Sequence, residues 1–111
     1  MATPVQVTPT CVWSGISGKT YTYYIHQIGT QFIAAPGNYV FAKVVNGRWA
    51  AVYVGETENL AERFDYHHAM PCIRANGATH IHAHVNHGGG PARRDEETDI
   101  RRNYNPSCNR Q

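Results

Sequence analysis

At 111 residues the chain has room for one domain, and a chain of this size buries roughly two-thirds of its unfolded surface, enough for one modest core. With 41% hydrophobic and 16% charged residues it reads as an ordinary globular protein, which excludes a disordered or low-complexity polypeptide. The net charge of +2 excludes a strongly basic chromatin-type binder, although eight of the ten basic residues are arginine, whose planar fork suits phosphate.

No apolar run approaches the about 20 residues that span a bilayer. The opening Met-Ala-Thr-Pro-Val-Gln-Val-Thr-Pro-Thr has neither the basic nor the apolar segment of a secretion signal. A soluble, cytoplasmic protein with no membrane partner is the expectation. The cysteines, Cys11, Cys72 and Cys108, are odd in number and far apart, so each is expected as a thiol and none as part of a disulfide framework or a metal set.

Residues 1–18, rich in Thr, Pro, Gly and Ser, read as a loosely structured lead-in. Lys19–Ile28 has the Tyr/Thr/Ile density of a strand. Two further strands are predicted over Tyr39–Val45 and Trp49–Val54, and the Asn46-Gly47 between them marks a hairpin. After Gly55 the spacing of Leu60, Ala61, Phe64 and His67/His68 becomes helical, with Thr57 or Asn59 as cap and Pro71 as a limit. A strand over Thr79–Asn86 follows, then a helix from Pro91 to Tyr104, closed by Asn105-Pro106. The expected fold is α/β in the α+β sense: a small, mainly antiparallel three-stranded sheet flanked by helices and extended by one or two N-terminal strands.

On the last helix Arg93, Glu97, Ile100 and Tyr104 share a face. Ile100 and Tyr104 turn that face inward, so Glu97 must be paired or metal-bound, with Arg93 as its ready partner. Asp95, Glu96 and Asp99 are expected in solvent. On the first helix Arg63 and His67 are four apart and project from one face. An arginine that can fork a phosphate beside a histidine that can move a proton suits phosphodiester chemistry, although such a pair is commonly just a solvated face.

Taken in order, Gly37-Asn38-Tyr39, Tyr53-Val54-Gly55, Arg63, His67, Glu97 and the closing Tyr104-Asn105-Pro106-Ser107-Cys108-Asn109 resemble the GIY-YIG nuclease family. The match spans residues 37–109, about two-thirds of the chain, with Asn38 and Val54 standing where the family has apolar residues and isoleucine. The resemblance implies a nuclease module over 37–111 preceded by an N-terminal extension over 1–36. It implies an endonuclease that cuts DNA with Mg²⁺ or Mn²⁺ held by Glu97. Tyr39, Tyr53, Arg63, His67 and Glu97 would be the catalytic set, supported by Gly37, Gly55 and Asn109. In that scheme Arg63 clamps phosphate, Tyr39 orients or deprotonates water with help from His67, Tyr53 lines the site, and Asn109 braces it. Arg93 and His82 are candidate DNA contacts. Family members usually draw specificity from appended domains, so this chain is expected to read DNA shape or branches, to form a homodimer, or to use a separate specificity partner.

Two other readings compete. One is a non-catalytic nucleic-acid-binding module on the same fold. The other is a zinc-binding protein, because His80, His82 and His84 alternate on one face of a strand with His87 nearby. A polar sheet face is the commoner outcome of such alternation.

Overall fold

The computed structural model describes residues 8–109. Five strands, β1 (Thr10–Ser14), β2 (Thr20–Gln27), β3 (Gly37–Val45), β4 (Arg48–Thr57) and β5 (His80–Val85), form one antiparallel sheet in the order β1-β2-β5-β3-β4. The α+β class is as expected. The sheet has five strands, however, because part of the predicted lead-in is β1. Of that lead-in, residues 1–7 lie outside the described part of the chain. The β2 strand pairs with β5, so residues before Gly37 share a sheet with those after it.

The Asn46-Gly47 turn joins β3 to β4 with both residues at positive φ, 52° and 77°, as a tight hairpin of matching twist requires. Within that hairpin Phe41 pairs with Tyr53 but Ala42 pairs with Ala51, leaving Val52 as an extra residue. The bulge lets Val52 and Tyr53 both pack into the cluster of Tyr39, Phe41, Leu60, Ala69, Ile73 and Ile81. The opposite face buries Trp13, Tyr23, Val40, Ala42 and Val54 against Ile100.

The helical region after β4 differs from the prediction. It breaks into α1 (Leu60–Arg63) and α2 (Met70–Ala75). Asn59 caps α1 by accepting from the Ala61 N–H at 3.0 Å. Pro71, expected to end a helix, instead sits in the first turn of α2, where its missing N–H is no loss. His67 therefore lies in the turn between the helices and shares no helix face with Arg63. The long helix, α3 (Gly90–Tyr104), agrees with expectation within one residue and leads into a 3₁₀ turn over Ser107–Asn109.

Two expectations about α3, for Glu96 and Arg93, are overturned, while Asp99 stays at the surface but is engaged there. Glu96 is buried, accepting from the Tyr23 hydroxyl at 2.6 Å and meeting His84 Nε2 at 2.6 Å. Asp99 holds the β1–β2 loop through the Ser17 N–H and hydroxyl at 2.9 and 2.7 Å, and takes the Tyr21 hydroxyl at 2.8 Å. Arg93 is buried and pairs with Glu56 at 2.9 Å, so it neither partners Glu97 nor lies free for DNA. The partners come from different strands: Tyr23 of β2 takes Glu96, the β1–β2 loop takes Asp99, and Glu56 of β4 takes Arg93. The cysteine expectation also fails, since Cys72 of α2 and Cys108 of the 3₁₀ turn form a disulfide across 36 residues, leaving Cys11 free.

His82, a candidate DNA contact, is fully buried in the core. Its Nδ1 accepts from Trp13 Nε1 at 3.0 Å, and Trp49 packs edge-on at 4.5 Å between ring centroids. His80 is held by Thr79 at 2.8 Å and His84 by Glu96, so the alternating imidazoles are each taken up by different neighbours. Among the described residues no group of three His, Cys, Asp or Glu side chains could hold one ion. No helix among them is long and apolar enough to cross a membrane.

Burial, then His80 and His26, lower the His82 pKa to about 4. An unfolded chain protonates this imidazole near pH 6.5, so stability is fully present above that value and falls as pH drops toward 4. Urea unfolding should show a loss of up to about 3 kcal/mol from this group across that window. The His82→Gln variant should lose about one proton from the pH slope, and an unchanged slope would contradict the assignment.

Candidate active site

The site is organised around Tyr39. Its place in β3 opposite Gly55 of β4 puts the phenol directly over the glycine. A Cβ on Gly55 would collide with the Tyr39 ring and hydroxyl. Gly37 is constrained in the same way, by the His84 carbonyl and the Leu60 side chain. Phe64 meets the Tyr39 ring edge-on at 4.9 Å and Tyr53 stacks against it at 6.1 Å with planes 20° apart.

The Tyr39 hydroxyl lies 2.8 Å from His67 Nε2. On the other side of that imidazole, Nδ1 accepts from the Ala69 N–H at 3.1 Å. A neutral imidazole has one donor and one acceptor nitrogen, so the Ala69 contact assigns the proton to Nε2. His67 therefore donates to the Tyr39 oxygen and leaves the phenol hydrogen free. Burial, reinforced by the Arg63 and His68 charges, lowers the His67 pKa to about 4 and keeps it neutral.

Burial pushes the Tyr39 pKa far up, Tyr53 adds to that push, and the neighbouring Arg63 guanidinium opposes it. The Tyr53 hydroxyl is raised by burial and by Glu97, against Arg63 and Arg101. Arg63, at the end of α1, also approaches His68 Nδ1 at 3.4 Å. Glu97 is raised by burial, with Arg101 the largest opposing influence. Its closest cation is Arg101, at 3.8 Å, a loose pair one helical turn on. A largely covered carboxylate held so loosely has lone pairs to spare for a ligand. One hard carboxylate, with water and phosphate oxygens completing the shell, is the donor set that Mg²⁺ favours.

The fold thus sets Tyr39 against His67 and Tyr53, and the charges of Arg63 and Glu97 act on both tyrosines. Asn109 braces the site from the 3₁₀ turn, accepting from the Val54 N–H and donating to the Val54 carbonyl, both at 2.8 Å. Those two bonds cover the outer side of β4 immediately before Gly55. The disulfide holds the same turn to α2.

Sequence reasoning missed two residues here. Asn38, fully buried, donates to the Arg93 carbonyl at 2.9 Å and accepts from Asn86 at 3.0 Å, fastening β3 to α3. A polar residue in an otherwise apolar strand was the available sign. Arg101 was legible as the i+4 neighbour of Glu97. Comparison with known protein families, with characterised proteins and with solved structures gives no match.

The tautomer is directly checkable. Imidazole ¹⁵N NMR at pH 7 should show His67 neutral, protonated at Nε2 and bare at Nδ1. A protonated Nδ1 would break the assignment.

Proposed function

We propose that this chain is a divalent-metal-dependent endonuclease that hydrolyses phosphodiester bonds in DNA. The supporting observation is that His67 meets the Tyr39 oxygen, Tyr53 stacks on its ring, and the charges of Arg63 and Glu97 act on it, from four separate parts of the chain. It is the constellation that the resemblance to GIY-YIG nucleases implies.

A phosphodiester is anionic, so its cleavage requires charge neutralisation, a nucleophile and support for the leaving oxygen. Arg63 binds a non-bridging phosphate oxygen and stabilises the charge that builds there. Glu97 would hold Mg²⁺ or Mn²⁺, and the ion would supply charge neutralisation at the phosphate and a more acidic water. The Tyr39 oxygen keeps a lone pair with which to hold the attacking water. For Tyr39 to take the water's proton it must first release its own phenol proton to solvent, and the His67 N–H and the Arg63 guanidinium both favour the resulting charge. His67 is thus a donor that tunes Tyr39 and not the base itself. Tyr53, whose ring lies 4.8 Å from His67, lines the floor and offers a hydroxyl to water or phosphate. Specificity is assigned to DNA shape or branches, to a homodimer, or to a separate partner.

The test is incubation with supercoiled, linear and branched DNA in Mg²⁺, in Mn²⁺ and with chelator. Wild type should cut in metal and not in chelator. Glu97→Ala, Arg63→Ala and Tyr39→Phe should each lose about 10²-fold or more in rate with the fold intact by circular dichroism. A Glu97→Ala variant that cuts normally refutes the reading, and binding without cleavage on any substrate favours the non-catalytic module.

A further inference from the structure

A groove at the C-terminal end of α3, about 520 Å³ in volume, is bordered by Thr98, Arg101, Arg102, Asn105, Pro106 and Asn109. Every polar side chain on that border can donate a hydrogen bond, and no described acidic side chain joins them. Arg101 ties the groove to the site. One guanidinium nitrogen lies 3.8 Å from Glu97 Oε1, and the other donates to the Asn109 carbonyl at 3.4 Å. Asn109 is in turn the residue bonded to the Val54 backbone beside Gly55. Half-exposed Arg101 therefore lies between the groove it lines and the Glu97 carboxylate of the candidate site.

We infer that this groove is a second phosphate subsite, in which Arg101, assisted by Arg102, takes the backbone phosphate next to the one being cut. The inference rests on the nuclease reading of Glu97 and deepens it by fixing which way the DNA strand leaves the site. Its chemistry follows from the donors. Among the described residues, the Arg101 guanidinium meets a carboxylate at 3.8 Å and a carbonyl at 3.4 Å, contacts that leave N–H groups for an anion. On the other side of the site, the groove containing Arg63 is bordered by Glu58 and Glu62, which repel a phosphate chain. That asymmetry favours a strand running from Arg63 past Glu97 toward Arg101. Arg102 also borders the groove of Asp95 and Asp99, so Arg101 carries the larger part of the inference.

The alternative role for Arg101 and Arg102 is to offset the negative end of the α3 dipole. Salt dependence separates the two roles, because only a phosphate contact releases counterions. Binding of a short fluorescent DNA duplex to the full chain is measured over a series of salt concentrations, with Ca²⁺ in place of Mg²⁺ to suppress cutting. Cleavage in Mg²⁺ is measured in parallel. Arg101→Ala should weaken binding several-fold at fixed salt and reduce the slope of log K against log salt by about 0.9, one phosphate contact. Arg101→Lys should restore most of that slope, and thermal melting should show both variants folded. Should Arg101→Ala unfold, Arg101→Gln provides the same comparison.

An unchanged slope in folded Arg101→Ala overturns the subsite, and wild-type cleavage in the same experiment would leave the nuclease reading standing. Conversely, a slope that falls in the absence of any cleavage keeps the subsite as a phosphate-binding groove and removes the nuclease reading. No binding of the duplex by wild type overturns the subsite, and the absence of cleavage of supercoiled, linear and branched DNA overturns the nuclease reading.

Discussion

The close approach of Tyr39 to Gly55 is the constraint on which the site depends. A large aromatic ring fits at the centre of β3 because the paired residue on β4 has no side chain to obstruct it. With that space occupied, the phenol is buried and aimed at one place, where His67 meets it. Phe64 and Tyr53 then close around the ring, so the positions of α1, of the turn carrying His67 and of β4 are all set against a single side chain. Burial leaves the phenol hard to ionise, and the His67 N–H and the Arg63 charge act against that cost at the one oxygen where it counts.

The opposite side of the sheet is held by different means. Where α3 crosses, the contacts are charged or polar: Arg93 with Glu56, Glu96 with Tyr23 and His84, Asp99 with Ser17 and Tyr21. Ile100 is the helix's buried apolar anchor. A helix attached this way is fixed in rotation as well as position, because each polar pair tolerates little displacement. Glu97 gains from that precision. It sits between buried Glu96 and the solvent, covered enough to resist ionisation and close enough to Arg101 to be held at the edge of a groove. Its neighbour in sequence, by contrast, is wholly engaged in structure.

Much of the local structure was legible beforehand, since it follows from short-range rules. The Asn46-Gly47 hairpin, the strand at β5 and the extent of α3 are set by turn residues, alternation and proline placement. The helical stretch from Leu60 was misjudged because its spacing fits one continuous helix, whereas the chain turns at His67 and restarts at Pro71. Arg93 and Glu96 show the limit more clearly. Helix periodicity ranks faces by hydrophobicity, and it cannot foresee that Tyr23 of β2 and His84 of β5 will both meet a buried glutamate of α3. His82 failed for a related reason: Trp13 and Trp49 flank its imidazole in the core, where its Nδ1 is satisfied but its Nε2 has no hydrogen-bond partner among the described residues.

For the site itself, the sequence alone determined which residue types stood in which order: the two tyrosines beside their glycines, then Arg63, His67, Glu97 and Asn109. That order is a property of the chain and needs no geometry to read. Only the tertiary structure decided how they act on one another. The Ala69 N–H makes His67 a donor to Tyr39, an assignment that depends on the turn between α1 and α2. Arg101, and not Arg93, stands beside Glu97 because β4 presents Glu56 to Arg93 and engages it. Such choices are made by long-range partners competing for hydrogen bonds and burial, and those partners meet only when the sheet is assembled.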